Sequence, residues 1–103
     1  MMAYDEQRIL EMLHEDEVSR HRAFECIVRN FSEQLYWQIR HMVLSHDDAN
    51  DILQNTFMKA WINLDSFMGY SKISTWIYRI AINETLSFLN RQKSTVPLDT
   101  GSD

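Results

Sequence analysis

The sequence contains few of the residues that end helices or connect strands. It has two glycines and one proline in 103 residues, while Glu, Gln, Leu, Ile, Met and Ala recur throughout. So little material for hairpin turns, combined with so many helix-forming residues, predicts an all-α chain. A chain of this length buries about two thirds of its unfolded surface without disulfides or a metal. We therefore expect one compact domain of three to four helices.

Cysteine and long apolar runs are also scarce. Cys26 is the only cysteine, so it forms no internal disulfide, and its apolar neighbours indicate a small packed side chain in a reducing compartment. No apolar run approaches the ~20 residues of a membrane span, and the acidic N-terminus does not resemble a signal segment. A cytoplasmic protein is expected.

Side chains with the spacing of a metal or catalytic site are missing from the sequence. The four histidines lack metal-ligand spacing with one another and with Cys26. Asp47, Asp48 and Asp51 lack the glycine and the distal glutamate of a calcium loop. The sequence shows no nucleophile–base pair and no glycine-rich phosphate loop. We predict no enzymatic activity, no cofactor and no metal.

Positive charge is scarce and unevenly distributed. The net charge of −5 argues against a protein that holds duplex DNA by itself, since non-specific affinity comes mainly from phosphate neutralisation. Residues 1–65 hold twelve acidic and six basic residues, a charge of −6, whereas residues 66–94 hold four basic residues and one acidic residue, a charge of +3. Two aspartates in the tail complete the total. The one basic region lies along a helix predicted to begin near Lys72.

That helix, which we call the focal helix, is predicted to have two different faces. Ile73, Ile77 and Ile80 recur at helical spacing and predict a buried stripe, with Trp76 beside them and partly in the core. Polar residues recur at the same spacing on another side, namely Lys72, Thr75, Arg79, Asn83 and Ser87. This side is predicted to meet a ligand, although Lys72 and Arg79 could also form an ordinary solvated face.

Three helical segments precede the focal helix. Residues 4–16 predict a short, loosely attached helix, and residues 19–44 follow helical spacing either as one helix or as two broken near residue 31. Ser45 is expected to cap a third helix that ends near Leu64, with Asp48 as its reciprocal partner. Trp37 and Trp61 are expected in the core or in helix packing, and residues 65–71 are predicted to form a loop. This pattern predicts an N-terminal helical extension at 1–22, a domain at 23–93 and the start of an interdomain linker at 94–103.

Two motifs resemble a known family. The string DDANDILQNTFMKAW at residues 47–61 is followed, a loop's distance later, by STWIYRIAIN at residues 74–83. Together they resemble the second conserved region of bacterial sigma factors, and most closely that of the extracytoplasmic function (ECF) group. The resemblance covers roughly Phe24 to Arg91. Two ordered motifs at the expected separation are far more specific than either motif alone.

The resemblance implies a sigma region 2 domain in transcription initiation. Such a domain binds the β′ clamp helices of core RNA polymerase and recognises and melts the promoter −10 element. The resemblance maps the polymerase contact onto Asp51 and Gln54, and we also predict Asp48, Asn55 and Met58 on the same helix as polymerase-binding positions. It maps the −10 element onto Phe67, Tyr70, Lys72, Trp76, Arg79 and Asn83, and we also predict Thr75 and Arg91, on the same helix, as DNA-binding positions. The resemblance also implies a longer protein with a −35-binding domain, and it leaves room for an anti-sigma factor whose identity the sequence does not reveal.

The residue types agree with this interpretation, and two alternatives stay open. Aromatic rings can stack on unpaired bases while Lys and Arg hold phosphates, so the loop and the focal helix could capture an unpaired non-template base. Phe67 and Tyr70 could instead simply cover the end of the helix pair. One alternative function is a helical protein–protein interaction module with no DNA role, which the acidic balance favours. The other is a duplex reader that lays the focal helix in a major groove.

Overall fold

The computed structural model describes residues 5–67, 69 and 71–100, with side chains described as far as residue 92. Every regular element in these ranges is helical, which confirms the all-α prediction. The elements are α1 (Glu6–Leu13), α2 (Glu17–Arg40), α3 (His46–Ile62), a 3₁₀ turn (Leu64–Ser66) and α4 (Ile73–Thr100). No helix in the described part of the chain is both long and apolar enough to cross a bilayer.

The first three helices begin at a residue whose own side chain caps them. Asp5, Asp16 and Ser45 each accept a hydrogen bond from the backbone N–H three residues ahead. The Ser45 bond, 3.0 Å from the Asp48 nitrogen to the hydroxyl oxygen, confirms the predicted start of α3. At Asp16 the hydrogen bond from the Ser19 backbone N–H stabilises the carboxylate and lowers its pKa. These caps satisfy N–H groups that have no partner within the helix.

The start of α4 is capped differently. The Ile73 N–H donates to the Glu6 carboxylate of α1, 2.7 Å away. The Ser71 hydroxyl donates to the Lys72 carbonyl. A carboxylate at this position satisfies an unpaired N–H and also opposes the positive end of the helix dipole. The cap of the focal helix therefore comes from the other end of the chain.

Helix α1 is part of the core, so the prediction that it is loosely attached is wrong. Ile9 and Leu13 are buried, and α1 packs along α2. Its glutamate Glu6 also reaches α4. Because α2 is a single helix from Glu17, the predicted extension at 1–22 already includes its first turn.

The core lies where α2, α3 and α4 meet. Its fully buried side chains include Ile27 and Ile39 from α2, Ile52 from α3 and Ile77 from α4. Two buried threonines, Thr56 and Thr85, donate their hydroxyl hydrogens to carbonyls one turn earlier, so their burial leaves no unpaired hydroxyl. This core presents one side of α3 and one side of α4 to the outside.

Two further expectations, the burial of Trp37 and the end of α4 near Lys93, differ from the structure. Trp61 packs as predicted, with its ring against Phe24, whereas Trp37 is 51% exposed on α2. Trp37 faces outward because the buried stripe of α2 runs through Leu35 and Ile39. Helix α4 continues to Thr100, beyond Lys93, where the sequence predicts that it fades into a linker.

Two candidate binding surfaces and a groove

The first candidate surface is the outer side of α3. Asp51, Gln54, Asn55 and Met58 are exposed and lie three or four residues apart, so they form one stripe, with half-buried Asp48 at its start. We call these five residues the α3 face. The opposite side of the helix is buried through Ala49, Ile52, Thr56 and Ala60. The five predicted polymerase-binding positions therefore lie together on one exposed surface.

The α3 face continues into an apolar end that the sequence analysis missed. Met58 is 58% exposed, and Ile62, one turn further, is 68% exposed. The spacing of four residues from Met58 was the signal that could have found Ile62. Exposed large apolar side chains at one end of a polar stripe are typical of a surface that meets another protein.

The second candidate surface is the outer side of α4. Lys72, Thr75, Arg79 and Asn83 are all exposed, and we call these four residues the α4 face. Lys72, Arg79 and Asn83 project in nearly the same direction, because their separations are close to two and three full helical turns. Arg91 is exposed two turns further along. The structure thus brings these predicted DNA-binding positions onto one side of a single helix.

The charge of the α4 face is preserved because its acidic neighbour is neutralised. Glu84 is the only acidic residue between positions 66 and 98. Its carboxylate lies 2.9 Å from the Lys59 ammonium of α3, and its side chain is 12% exposed. Because the Glu84 carboxylate is paired with Lys59 on α3, the main charges on the outer side of α4 are those of Lys72 and Arg79.

Phe67 and Trp76, the described aromatic residues at the start of α4, do not form an open stacking platform. Phe67 is only 5% exposed, and its ring centroid lies 4.9 Å from that of Trp76. The expectation that Phe67 offers a free ring to a base is therefore corrected: its ring is buried and packs against that of Trp76. Trp76 is half-buried, as predicted. Tyr70 lies outside the described residues.

A groove between α2 and α4 is a further feature that the sequence analysis missed. It encloses about 430 Å³ and is lined from α2 by Phe31, Gln34 and Gln38 and from α4 by Ser74, Thr75 and Tyr78, among others. Thr75 belongs to both the groove and the α4 face, so the two are continuous. The groove forms where α2 and α4, which are far apart in the sequence, pack against each other. Periodicity within one helix does not predict which sides of two helices will meet.

Comparison with known proteins identifies the family of the chain. The Sigma-70 region 2 family matches residues 27–95, which is more than half of the chain. The chain is similar to the ECF RNA polymerase sigma factor SigW of Bacillus subtilis, with 38% identity over 77 residues, covering 75% of this chain and 41% of that protein. It is also similar to the ECF RNA polymerase sigma-E factor of Haemophilus influenzae, with 33% identity over 76 residues, covering 74% of this chain and 40% of that one.

A third relative is the RNA polymerase sigma-H factor of Pseudomonas aeruginosa, with 37% identity over 68 residues, covering 66% of this chain and 35% of that protein. The matched part of each of these relatives is therefore well under half of its length. The matched region contains α3, the α4 face and most of α2. Both predicted motifs and the helices that carry them agree with the match, and the chain belongs to the Sigma-70 region 2 family, in the ECF group of sigma factors.

Proposed function

We propose that this chain is the module of an ECF sigma factor that binds core RNA polymerase through the β′ clamp helices and recognises the promoter −10 element as it melts. One observation carries the proposal: two exposed faces of opposite charge lie on neighbouring helices that share one core. The proposal places the protein in the cytoplasm with the polymerase. An anti-sigma partner stays a prediction.

The α3 face is the proposed polymerase surface. Asp48 and Asp51 give it negative charge at one end, and Met58 and Ile62 give it exposed apolar area at the other. Buried apolar anchors supply most of the affinity of a protein interface, while charged groups set orientation and the rate of encounter. The combination favours a helical partner with a basic rim and an apolar centre.

The α4 face is the proposed DNA surface. Lys72 and Arg79 are suited to phosphates, and the Asn83 carboxamide can pair with the edge of an adenine. The half-buried Trp76 leaves only part of its ring for a base. Two or three positive charges give weak affinity at physiological salt, so the face is expected to act only after docking on polymerase.

The energetics also favour joint action with polymerase. Turning a base out of the duplex costs a few kcal/mol, whereas one stacked base returns about 1–3 kcal/mol. One domain can therefore retain one or two unpaired bases but does not open a promoter unaided. In this mechanism polymerase supplies the remaining free energy, and the α4 face holds the unpaired non-template strand.

The deciding experiment measures binding to a labelled promoter with a preformed −10 bubble, with and without core polymerase. We expect weak binding by the domain alone and a strong preference for the bubble over duplex once polymerase is added. If polymerase neither binds the domain nor increases this preference, the proposal fails. Tight duplex binding by the domain alone would favour a major-groove reader.

A variant pair tests the polymerase surface. Asp51→Ala with Gln54→Ala should weaken polymerase association, because it removes polar contacts at the centre of the α3 face. Glu25→Ala with Glu33→Ala is the matched control, since both glutamates are exposed on α2 and neither belongs to the α3 face. Equal association by the two variants would reject the surface. If polymerase binds while no DNA dependence is found, the chain acts as an interaction module without a DNA role.

A further inference from the structure

We propose that Glu6 is a positioning residue for DNA binding: it holds the peptide group that follows Lys72, and so fixes the direction in which the Lys72 side chain leaves α4. This inference rests on the proposed function, in which Lys72 belongs to the α4 face. It gives a role to α1, which lies before the segment matched by the Sigma-70 region 2 family. Helix α1 then supports DNA binding without contacting DNA.

Lys72 is an unfavourable residue for the start of a helix. Its carbonyl accepts the first hydrogen bond of α4, from the Trp76 N–H at 3.0 Å, so Lys72 occupies the N-cap position. A lysine there offers no acceptor to the unpaired N–H groups of the first turn, and its charge faces the positive end of the helix dipole. Residues that cost stability at their own position are expected at functional sites.

Glu6 supplies the acceptor that Lys72 lacks. The Ile73 N–H donates to the Glu6 carboxylate at 2.7 Å, and this N–H belongs to the same peptide group as the Lys72 carbonyl. That carbonyl accepts from the Trp76 N–H and, at 3.3 Å, from the Ser71 hydroxyl. The peptide group is held at both ends, which restricts rotation about the bond between its carbonyl carbon and the Lys72 Cα. The side chain of Lys72 therefore starts from a fixed base.

The Glu6 carboxylate is itself held in place by the packing of α1. Ile9 and Leu13 follow Glu6 at helical spacing, so all three lie on the same side of α1. Ile9 and Leu13 are buried, and α1 packs along α2. The Ile73 end of the hydrogen bond is also buried, so water competes little for it. Core packing thus determines where the carboxylate meets α4.

The charge of Glu6 makes the positioning role distinguishable from a purely electrostatic one. A carboxylate beside a DNA-binding face repels phosphates, so its removal alone should strengthen DNA binding. If Glu6 positions Lys72, its removal should weaken DNA binding instead, because the first turn of α4 then opens more readily and Lys72 loses its fixed direction. The sign of the change decides between the two roles.

The test measures binding of the labelled −10 bubble by the domain bound to core polymerase, over a range of salt concentrations. Glu6→Ala should weaken binding about threefold and make it less dependent on salt, as expected when one phosphate contact is lost. Glu6→Gln keeps an oxygen acceptor and removes the charge, so it should bind at least as tightly as the wild type. If Glu6→Gln weakens binding as much as Glu6→Ala, the hydrogen bond does not position Lys72, and the inference is overturned.

Asp16→Ala is the matched control. Asp16 also accepts a backbone N–H at the start of a helix, from Ser19 at 2.8 Å, but that helix is α2, which carries neither face. The control therefore removes the same charge and the same kind of cap. Both variants should lower the melting temperature by several degrees, whereas only Glu6→Ala should weaken bubble binding. Equal bubble binding by the two variants would overturn the inference and leave Glu6 a structural cap only.

A double-mutant cycle shows whether Glu6 acts through Lys72. Lys72→Ser removes the phosphate contact and provides a local cap, so in this background Glu6→Ala should change bubble binding by less than about twofold. Lys72→Ser should also recover melting temperature that Glu6→Ala loses. If the two effects on bubble binding instead multiply in the double variant, Glu6 acts independently of Lys72, and the inference is overturned.

The outcomes separate this inference from the function on which it rests. If the wild-type complex shows no preference for the bubble over duplex, the proposed function fails and the inference fails with it. If the wild-type complex prefers the bubble and Lys72→Ser binds it equally well, only the positioning role is rejected. Circular dichroism at the assay temperature establishes that each variant is folded.

Discussion

The outer sides of α3 and α4 are alike in construction and opposite in character. Both helices pack on α2 and on each other, and both leave one stripe exposed. The α3 face combines two aspartates with the apolar end at Met58 and Ile62, whereas the α4 face carries Lys72 and Arg79. The two faces therefore suit different classes of partner although they share a core.

The difference explains how a chain of net charge −5 can contact DNA. Its acidic residues lie mainly before position 66, and Glu84 on α4 is paired with Lys59. Local separation of charge keeps a basic surface where the total charge would oppose one. Because that basic surface is small, we expect it to bind DNA only after the α3 face has bound polymerase.

Loss of the shared core is expected to have the largest effect. Ile77 is fully buried, so Ile77→Ala should lower the free energy of unfolding by about 3 kcal/mol through lost burial and a residual cavity. Chemical denaturation measures this change. Leu86→Ala, on the exposed side of the same helix, is the control and should cost much less. Under destabilising conditions Ile77→Ala should lose DNA binding and polymerase binding together. Loss of DNA binding with full retention of polymerase binding would show that the two faces are independently stable.

Charge reversal should separate the two faces when the fold is intact. Arg79→Glu should weaken bubble binding by the polymerase complex about tenfold and reduce the salt dependence of binding, without changing polymerase affinity. Asp51→Lys should weaken polymerase association and leave the melting temperature unchanged. Fluorescence anisotropy with labelled DNA and a pull-down with polymerase provide the two measurements. A single variant that impairs both measurements equally would contradict the assignment of separate partners.

The parts of the molecule that depend on local pattern could be predicted from the sequence. Periodicity predicts the buried sides of α2, α3 and α4, and the Ser45 cap follows from residues adjacent in the chain. The exposed stripes then follow, because a residue that does not fit the apolar period faces outward. The exposure of Asp51 and Arg79 therefore follows from the burial of Ile52 and Ile77 on the same helices.

The remaining features depend on contacts between residues far apart in the chain. Phe67 is turned inward by its packing on Trp76, and the groove requires Gln38 and Tyr78 to face one another across two helices. The cap of α4 comes from Glu6, 67 positions earlier. Propensity and spacing carry no information about such pairings, since they describe one segment at a time.

The two helix caps offer a sharper comparison of α3 with α4. Glu6→Ala removes a hydrogen bond from the Ile73 N–H to a charged acceptor and should cost about 1.5 kcal/mol. Ser45→Ala removes the local cap of α3 and should cost about 1 kcal/mol. Hydrogen exchange distinguishes them, because Glu6→Ala should raise exchange at the start of α4 and Ser45→Ala at the start of α3. Identical exchange patterns would show that the two ends open as one unit.

The smallest expected effect concerns the ion pair that joins the two helices. Lys59 is mostly exposed, so Lys59→Ala should lower the free energy of unfolding by only about 0.5 kcal/mol. Its effect on DNA binding should be clearer, because the Glu84 carboxylate then adds an unpaired negative charge beside the α4 face. Bubble binding by the polymerase complex should weaken at low salt, and Lys59→Ala/Glu84→Gln should restore it. If the double variant binds as weakly as Lys59→Ala, then Lys59 contacts a partner directly and belongs to the α3 face. The boundary between the two faces would then lie closer to α4 than their charges indicate.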